Sequence, residues 1–144
     1  MSIKINGGAT NYASTFTASP TADRTVTIPD SSFTLAGTDA AQTFSAAQRG
    51  TVTTDNDGSF DLSVTNNFKC TAAASPTDLT FTNMTAGQSG FILLDNSGAY
   101  TIGQGTGTKV SATALATMSA AGVYLLSYFT DGTNTYVVNS SALA

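Results

Sequence analysis

The side chains in this 144-residue chain that could do chemistry are few, and most of them are aspartates. The stretch "DNDGSFD" sets Asp55, Asp57 and Asp61 close together, and calcium takes several oxygens from such turns. No glutamate occurs in the chain to close an EF-hand loop, and Asp61 falls at a strand position opposite Phe60 and Leu62. The stretch therefore reads as a turn leading into a strand. A second candidate, "GQGTGTK" with Gly103, Gly105, Gly107 and Lys109, invites a phosphate-loop reading. Its spacing fits neither the dinucleotide fingerprint nor the Walker pattern, and it reads as a loop between strands. Cys70 lacks an activating base, because the chain contains no histidine, and it reads as a small buried apolar residue. As the single cysteine it cannot form an intramolecular disulfide.

Nine aspartates could in principle supply a carboxylate pair for glycoside hydrolysis. Most of them sit in turn contexts such as "IPDS", "LDNSG" and "FTDGT", where Asp is expected to bond its own backbone. Asn83 and Asn139 match the glycosylation pattern. "MSIKINGG" lacks the apolar core of a secretory signal, so these matches are expected to be accidental. Neither an enzyme activity nor a cofactor or metal is expected.

Composition narrows the partners. Only 10% of residues are charged, against about 25% in an ordinary soluble domain. The net charge is −4, and the five basic residues are scattered, which offers nothing to a run of phosphates and speaks against nucleic acid. The longest apolar run, around Val123 to Phe129, is too short to cross a bilayer, and no basic patch would hold the chain to an anionic membrane. Abundant Thr and Val suit a pleated, half-buried surface, and Gly and Asn suit turns. The expected class is all-β. A surface this poor in charge is tolerable when other subunits cover much of it.

Two regions differ in what they can bury. Residues 1–50 read as an extended arm in which Phe16, Val26, Ile28, Phe33 and Leu35 stand out of a Thr- and Ser-rich background. "RTVTIPDSSFTLAG" alternates with period two on either side of Pro29, which predicts short, edge-like strands. Asp39 and Gln42 resemble a capping box and Gly50 a helix stop, so one short helix is expected over 40–49. The arm has too few apolar groups to offset ordering at ~1–2 kcal/mol per residue of backbone, so it must fold along other surfaces. Residues 51–144 read as a small antiparallel β-sandwich. Its strands include "GSFDLSV" (Phe60, Leu62 and Val64 on one face), "DLTFTNM" and "GFILLDNSGAYTI" with a turn at Asp95–Gly98. The last feature is a hairpin, "GVYLLSYFTDGTNTYVVN". Its first strand carries Val123, Leu125 and Phe129 on one face and Tyr124, Leu126 and Tyr128 on the other, so both faces should be covered, centrally or by another subunit.

The segment "FTASPTADRTVTIPDSSFTLAGTDAAQTFSAAQRGTV" resembles one that recurs in virion structural proteins of tailed bacteriophages, both fibre-type and capsid-decorating. The second half, from "FTNMTAGQSG" to "TNTYVV", is similar to a β domain often found after it. The resemblance implies a trimeric, β-rich particle component. Fibre proteins generally carry this segment within a much longer chain, so a chain of this length favours a decoration, or cement, protein. That protein would be made in the host bacterial cytoplasm and placed on the capsid surface of the virion, where it would bind the major capsid protein and stabilise the shell. The alternative is a short tail fibre or tail adaptor with a receptor- or sugar-binding role. On the cement reading Phe16, Val26, Ile28, Phe33 and Leu35 are arm contacts to neighbouring subunits or capsid. Tyr124, Tyr128 and Tyr136 either line a trimer interface or fill a sandwich core. Val26→Asp with Ile28→Asp is expected to abolish trimerisation or shell binding in a pull-down with expanded shells. Unchanged binding would remove the arm from the contact.

Overall fold

The structure, a computed structural model, describes residues 47–143. The chain divides into two units, Met1–Thr43 and Phe44–Ala144, and all described residues belong to the second. The expected arm contacts Phe16, Val26, Ile28, Phe33 and Leu35, and most of the helix expected over 40–49, lie outside the described residues. Residues 47–49, the described end of that stretch, are not helical.

Strand outweighs helix by 46% to 7% among the described residues, so the class is all-β. The strands, however, are wound as successive coils. β1 (Val52–Thr54), β3 (Asn67–Thr71) and β5 (Ser89–Asn96) lie parallel and adjacent, as do β2 (Ser59–Asp61), β4 (Thr77–Thr82) and β6 (Ile102–Gln104). Each coil contributes one strand to each of two sheets, a solenoid-like arrangement in place of the expected antiparallel sandwich. The alternation that identifies a strand is the same for parallel and antiparallel neighbours, so the pattern finds strands without finding their direction. Nor does a fixed repeat betray the coils. Val52 pairs with Asn67 but Asn67 pairs with Phe91, because the loops at the corners differ in length.

Antiparallel pairing begins only after the third coil. A short β7 (Thr108–Lys109) leads to α1 (Ala112–Met118), and then β8 (Gly122–Thr130) returns along β5. β9 (Thr135–Asn139) pairs with β8 as the expected hairpin, and β7 joins its far edge in parallel. The six-stranded sheet thus runs β1-β3-β5-β8-β9-β7, facing a three-stranded sheet β2-β4-β6. Helix α1 was not expected. Its signals are the Ser111 cap, whose hydroxyl accepts the Ala114 N–H at 3.1 Å, and an Ala-rich run that buries Met118.

The core fills the space between the sheets. In-register stacking puts Phe60 on Phe81, Phe68 on Ile92, Cys70 on Leu94, and Ile92 on Leu126. An aromatic chain crosses it: Phe68 meets Phe60 with ring centroids 5.1 Å apart, Phe60 meets Phe81 at 5.4 Å, and Phe81 meets Tyr128 at 5.1 Å. These tilted pairs add about 0.5–1.5 kcal/mol each beyond their area. Of the expected Phe60, Leu62 and Val64 face, the first two are buried while Val64 is exposed, because β2 ends at Asp61 and the chain turns.

The expected turn at Asp95–Gly98 exists, but it carries the chain around a corner into the opposite sheet instead of closing a hairpin. Asn96, fully buried, makes that corner. Its amide oxygen accepts the Tyr100 N–H at 2.9 Å, and its amide nitrogen donates to Tyr100 O and Met118 O, each at 2.8 Å. One side chain thereby satisfies both backbone groups of Tyr100 and fastens the corner to the end of α1. Replacing it leaves the buried Met118 carbonyl and both backbone groups of the half-buried Tyr100 unpaired, at ~1–3 kcal/mol for a group wholly out of water. Asn96→Ala is therefore expected to lose on the order of 3–5 kcal/mol in a urea titration with an unchanged slope. A loss below about 1 kcal/mol would show that the corner holds without the amide.

Candidate interaction face

Among the described residues, the groups that could do chemistry are not brought together. Asp61 accepts from Ser63 and, at 2.9 Å, from Asn83 Nδ2, bonds that hold its carboxyl below the usual range. Asp57 is lowered by the Ser59 N–H, while Asp55 is raised, first by partial burial and then by its contact with Asp57. No three acidic, cysteine or histidine side chains converge as a metal set among the described residues. Asp95 and Asp131 bond their own turns, Ser97 in one case and Thr133 and Asn134 in the other. The glycine-rich stretch packs on β4. A Cβ at Gly105 would lie 2.2 Å from Thr80 Oγ1, and the Gly105 N–H is already spent on Leu79 O. Cys70 is buried, and burial followed by the Asp55 charge pushes its thiol from 9.0 up to about 11.

The three tyrosines named as interface or core separate by face. Tyr124 and Tyr128 are buried, with hydroxyls donating to Ala120 O at 3.0 Å and Asn66 O at 2.9 Å. Tyr128 reaches Asn66 across Gly90, where a Cβ would lie 1.7 Å from that same carbonyl oxygen. Tyr136 points the other way, exposed, with its hydroxyl on Asp131 Oδ2 at 3.1 Å.

That other side is the feature that stands out. Strand alternation sends one set of β5, β8 and β9 side chains inward and the other outward. The outward set is mostly apolar, with Ser89, Asp95 and Ser127 among it. Phe91 and Leu93 on β5, Leu125 and Phe129 on β8, and Tyr136 and Val138 on β9 are all exposed, Phe91 by 53%, Phe129 by 50% and Val138 by 65%. Register makes them neighbours: Leu93 lies beside Leu125, Phe129 beside Tyr136, and Ser127 between Phe91 and Val138. Past Tyr136 and Val138 the surface dips into a groove of ≈ 490 Å³ between β9 and α1. The outer face of the other sheet has the opposite character, with Ser59, Asp61, Asp78, Thr80 and Thr82 at its outward positions. Of the outward residues, sequence reasoning found Leu125 and Phe129 through the doubly apolar strand. It did not place Phe91 and Val138, although both follow from the same alternation.

Burial gives a checkable pH dependence. The folded Cys70 thiol and the Tyr128 hydroxyl, the latter pushed by burial from 10.0 to about 12, both hold their protons more tightly than in the unfolded chain. Their contribution is fully present below pH 9 and is lost as pH rises through 11 and then 12. Stability measured by urea titration is expected to fall across that window, and Cys70→Ala to flatten its lower part. At pH 8 the native thiol should react with a disulfide reagent far more slowly than in urea. Equal rates would reopen a nucleophilic role.

Compared with known proteins, the chain matches no family model, no curated relative and no solved structure.

Proposed function

We propose that this chain is a non-enzymatic structural protein of a tailed-phage particle, a homotrimeric capsid decoration protein that binds the major capsid protein and stabilises the shell. One observation carries the reading: Phe91, Leu93, Leu125, Phe129, Tyr136 and Val138 form an exposed apolar run across the middle of one outer sheet face, bordered by Lys69, Asp95 and Lys109, while the opposite face of the same unit is polar. Surfaces of that kind belong to proteins that work by being covered. The scattered, turn-bound aspartates and the buried thiol support an assembly role over catalysis. The sequence resemblance supplies the kind of assembly.

Decoration acts through mass action. A protein that binds the expanded shell but not its opened form stabilises the shell by RT ln(1 + [L]/Kd), about 2.7 kcal/mol for each site at a hundredfold excess over Kd. Native mass spectrometry of the purified chain together with gel densitometry of particles is expected to give a trimer in high copy number, and added protein to raise the temperature at which expanded shells release DNA. A trimer in only a handful of copies would move it to the tail, as a short fibre or adaptor. A monomer absent from particles would overturn the reading.

A further inference from the structure

We propose that the groove between β9 and α1 is a peptide-binding site, which takes an extended, acidic segment of a partner protein as one further strand on the free edge of β9. The inference goes beyond the assembly reading above and does not depend on it.

Main-chain hydrogen bonding is the first argument. Ser140 N–H donates to Leu125 O at 2.9 Å and Asp131 N–H to Asn134 O at 3.1 Å, so the main-chain groups of Tyr136 and Val138 turn to β8. Those of Thr135, Val137 and Asn139 turn away from it. β7 meets only the start of that second edge. The Thr135 N–H donates to Gly107 O at 2.9 Å, Thr108 and Lys109 lie beside Thr135 and Tyr136, and the chain then leaves through Val110 and Ser111 into α1. The lane that a longer β7 would fill is open. Along it the Val137 carbonyl and the N–H and carbonyl of Asn139 have no hydrogen-bond partner among the described residues. An acceptor, a donor and an acceptor at strand spacing are matched by the backbone of another extended peptide.

The walls suit such a strand. The groove has a volume of ≈ 490 Å³, within the ~300–1,000 Å³ usual for binding pockets. Val110 and Ala114 stand on one side and Val137 and Val138 on the other, so the side chains of an added strand meet apolar surface. Past Asn139 the groove runs on into a hollow of ≈ 350 Å³ bounded by Thr113 and Thr117, which lengthens the lane. Capture of a peptide on an exposed sheet edge, with pockets for its alternate side chains, is a recurrent mode of recognition.

Charge sets the chemistry of the partner. Lys109, exposed at the end of β7, is the one charged side chain that lines the groove or its extension. The carboxylate bonded to a lining residue, that of Asp131, is already occupied by the Thr133 and Asn134 N–H groups and the Tyr136 hydroxyl. An acidic side chain at the end of the incoming strand therefore meets an ammonium group, while a basic one meets its like.

The test uses the full chain, isotope-labelled for NMR and titrated with acetyl-Asp-Val-Thr-Val-Thr-Val-Asp-amide. The peptide is taken to ~2 mM, because a ladder of two or three bonds supports a Kd on the order of 1 mM. Shifts are expected at Lys109, Ala114 and Val137 to Asn139, and amide exchange at Asn139 is expected to slow about threefold, the factor 1 + [L]/Kd. Asn139→Pro removes the free N–H and puts a ring in the lane, while that N–H takes no part in the β8 ladder, so both effects should vanish. Lys109→Glu is expected to weaken this peptide about threefold and to favour its Lys-ended counterpart, and it carries the test should Asn139→Pro fail to fold. Absence of shifts in the groove, shifts confined to the Phe91 and Phe129 face, or equal binding of the acidic and basic peptides overturns the proposal. So does an Asn139 N–H that exchanges slowly before any peptide is added. Slow exchange at every protein concentration would assign the lane to a segment of the chain itself, and slow exchange only at high concentration to a second copy.

Discussion

The buried amide of Asn96 is the contact on which most of the unit depends. Parallel strands cannot be joined by a tight hairpin, so every coil must turn its backbone through a corner where ladder hydrogen bonds stop. At the third corner that deficit falls inside the protein, and a side chain with two donors and an acceptor meets it. One of the donors reaches Met118 O, so the same residue ties this corner to the last turn of α1, which Ser119 caps and from which the chain enters β8 and returns along β5. A local solution to one turn thus joins the parallel half to the helix that leads into the antiparallel half, whose register is the eight-residue β5–β8 ladder.

Once that register is fixed, the two sides of β8 have different fates. Tyr124, Leu126 and Tyr128 complete the core, closing the aromatic path that starts at Phe68. Gly90 is part of the same arrangement, since only the absence of a side chain there lets the Tyr128 hydroxyl reach Asn66. Leu125 and Phe129 face outward among apolar neighbours from β5 and β9. Within the described unit the first set is satisfied and the second lies exposed.

Much of this was legible in the residues. The all-β class, the strands around Phe68, Leu79 and Ile92, the final hairpin with its turn at Asp131–Asn134, and the double-sided character of β8 all follow from alternation and turn chemistry. The winding did not follow. Period-two patterning is blind to strand direction, the unequal corners hide the coil repeat, and "LDNSG" signals a turn without saying which sheet the chain enters next. Helix α1 is faint in the sequence because its seven residues lie beside a glycine-rich stretch, with only Ser111 and a few alanines to announce them. The apolar outer face was half visible: β8 advertised it, and the register that adds Phe91 and Val138 is a property of the fold.

The unequal corners have a consequence for how such a unit can change. Stacked strands hold their side-chain register through the core, so a bend can lengthen at its exposed residues without moving the strands themselves. In the bend between β4 and β5, Met84 packs against the core and Gln88 donates to Leu62 O, while Thr85, Ala86 and Gly87 lie at the surface. Added chain there lengthens a loop whose closure entropy rises only as the logarithm of its length, about 0.6 kcal/mol per doubling. The architecture therefore separates a ruler of strands from exposed insertion points along its side, and those points are open to an engineer who wishes to display a peptide.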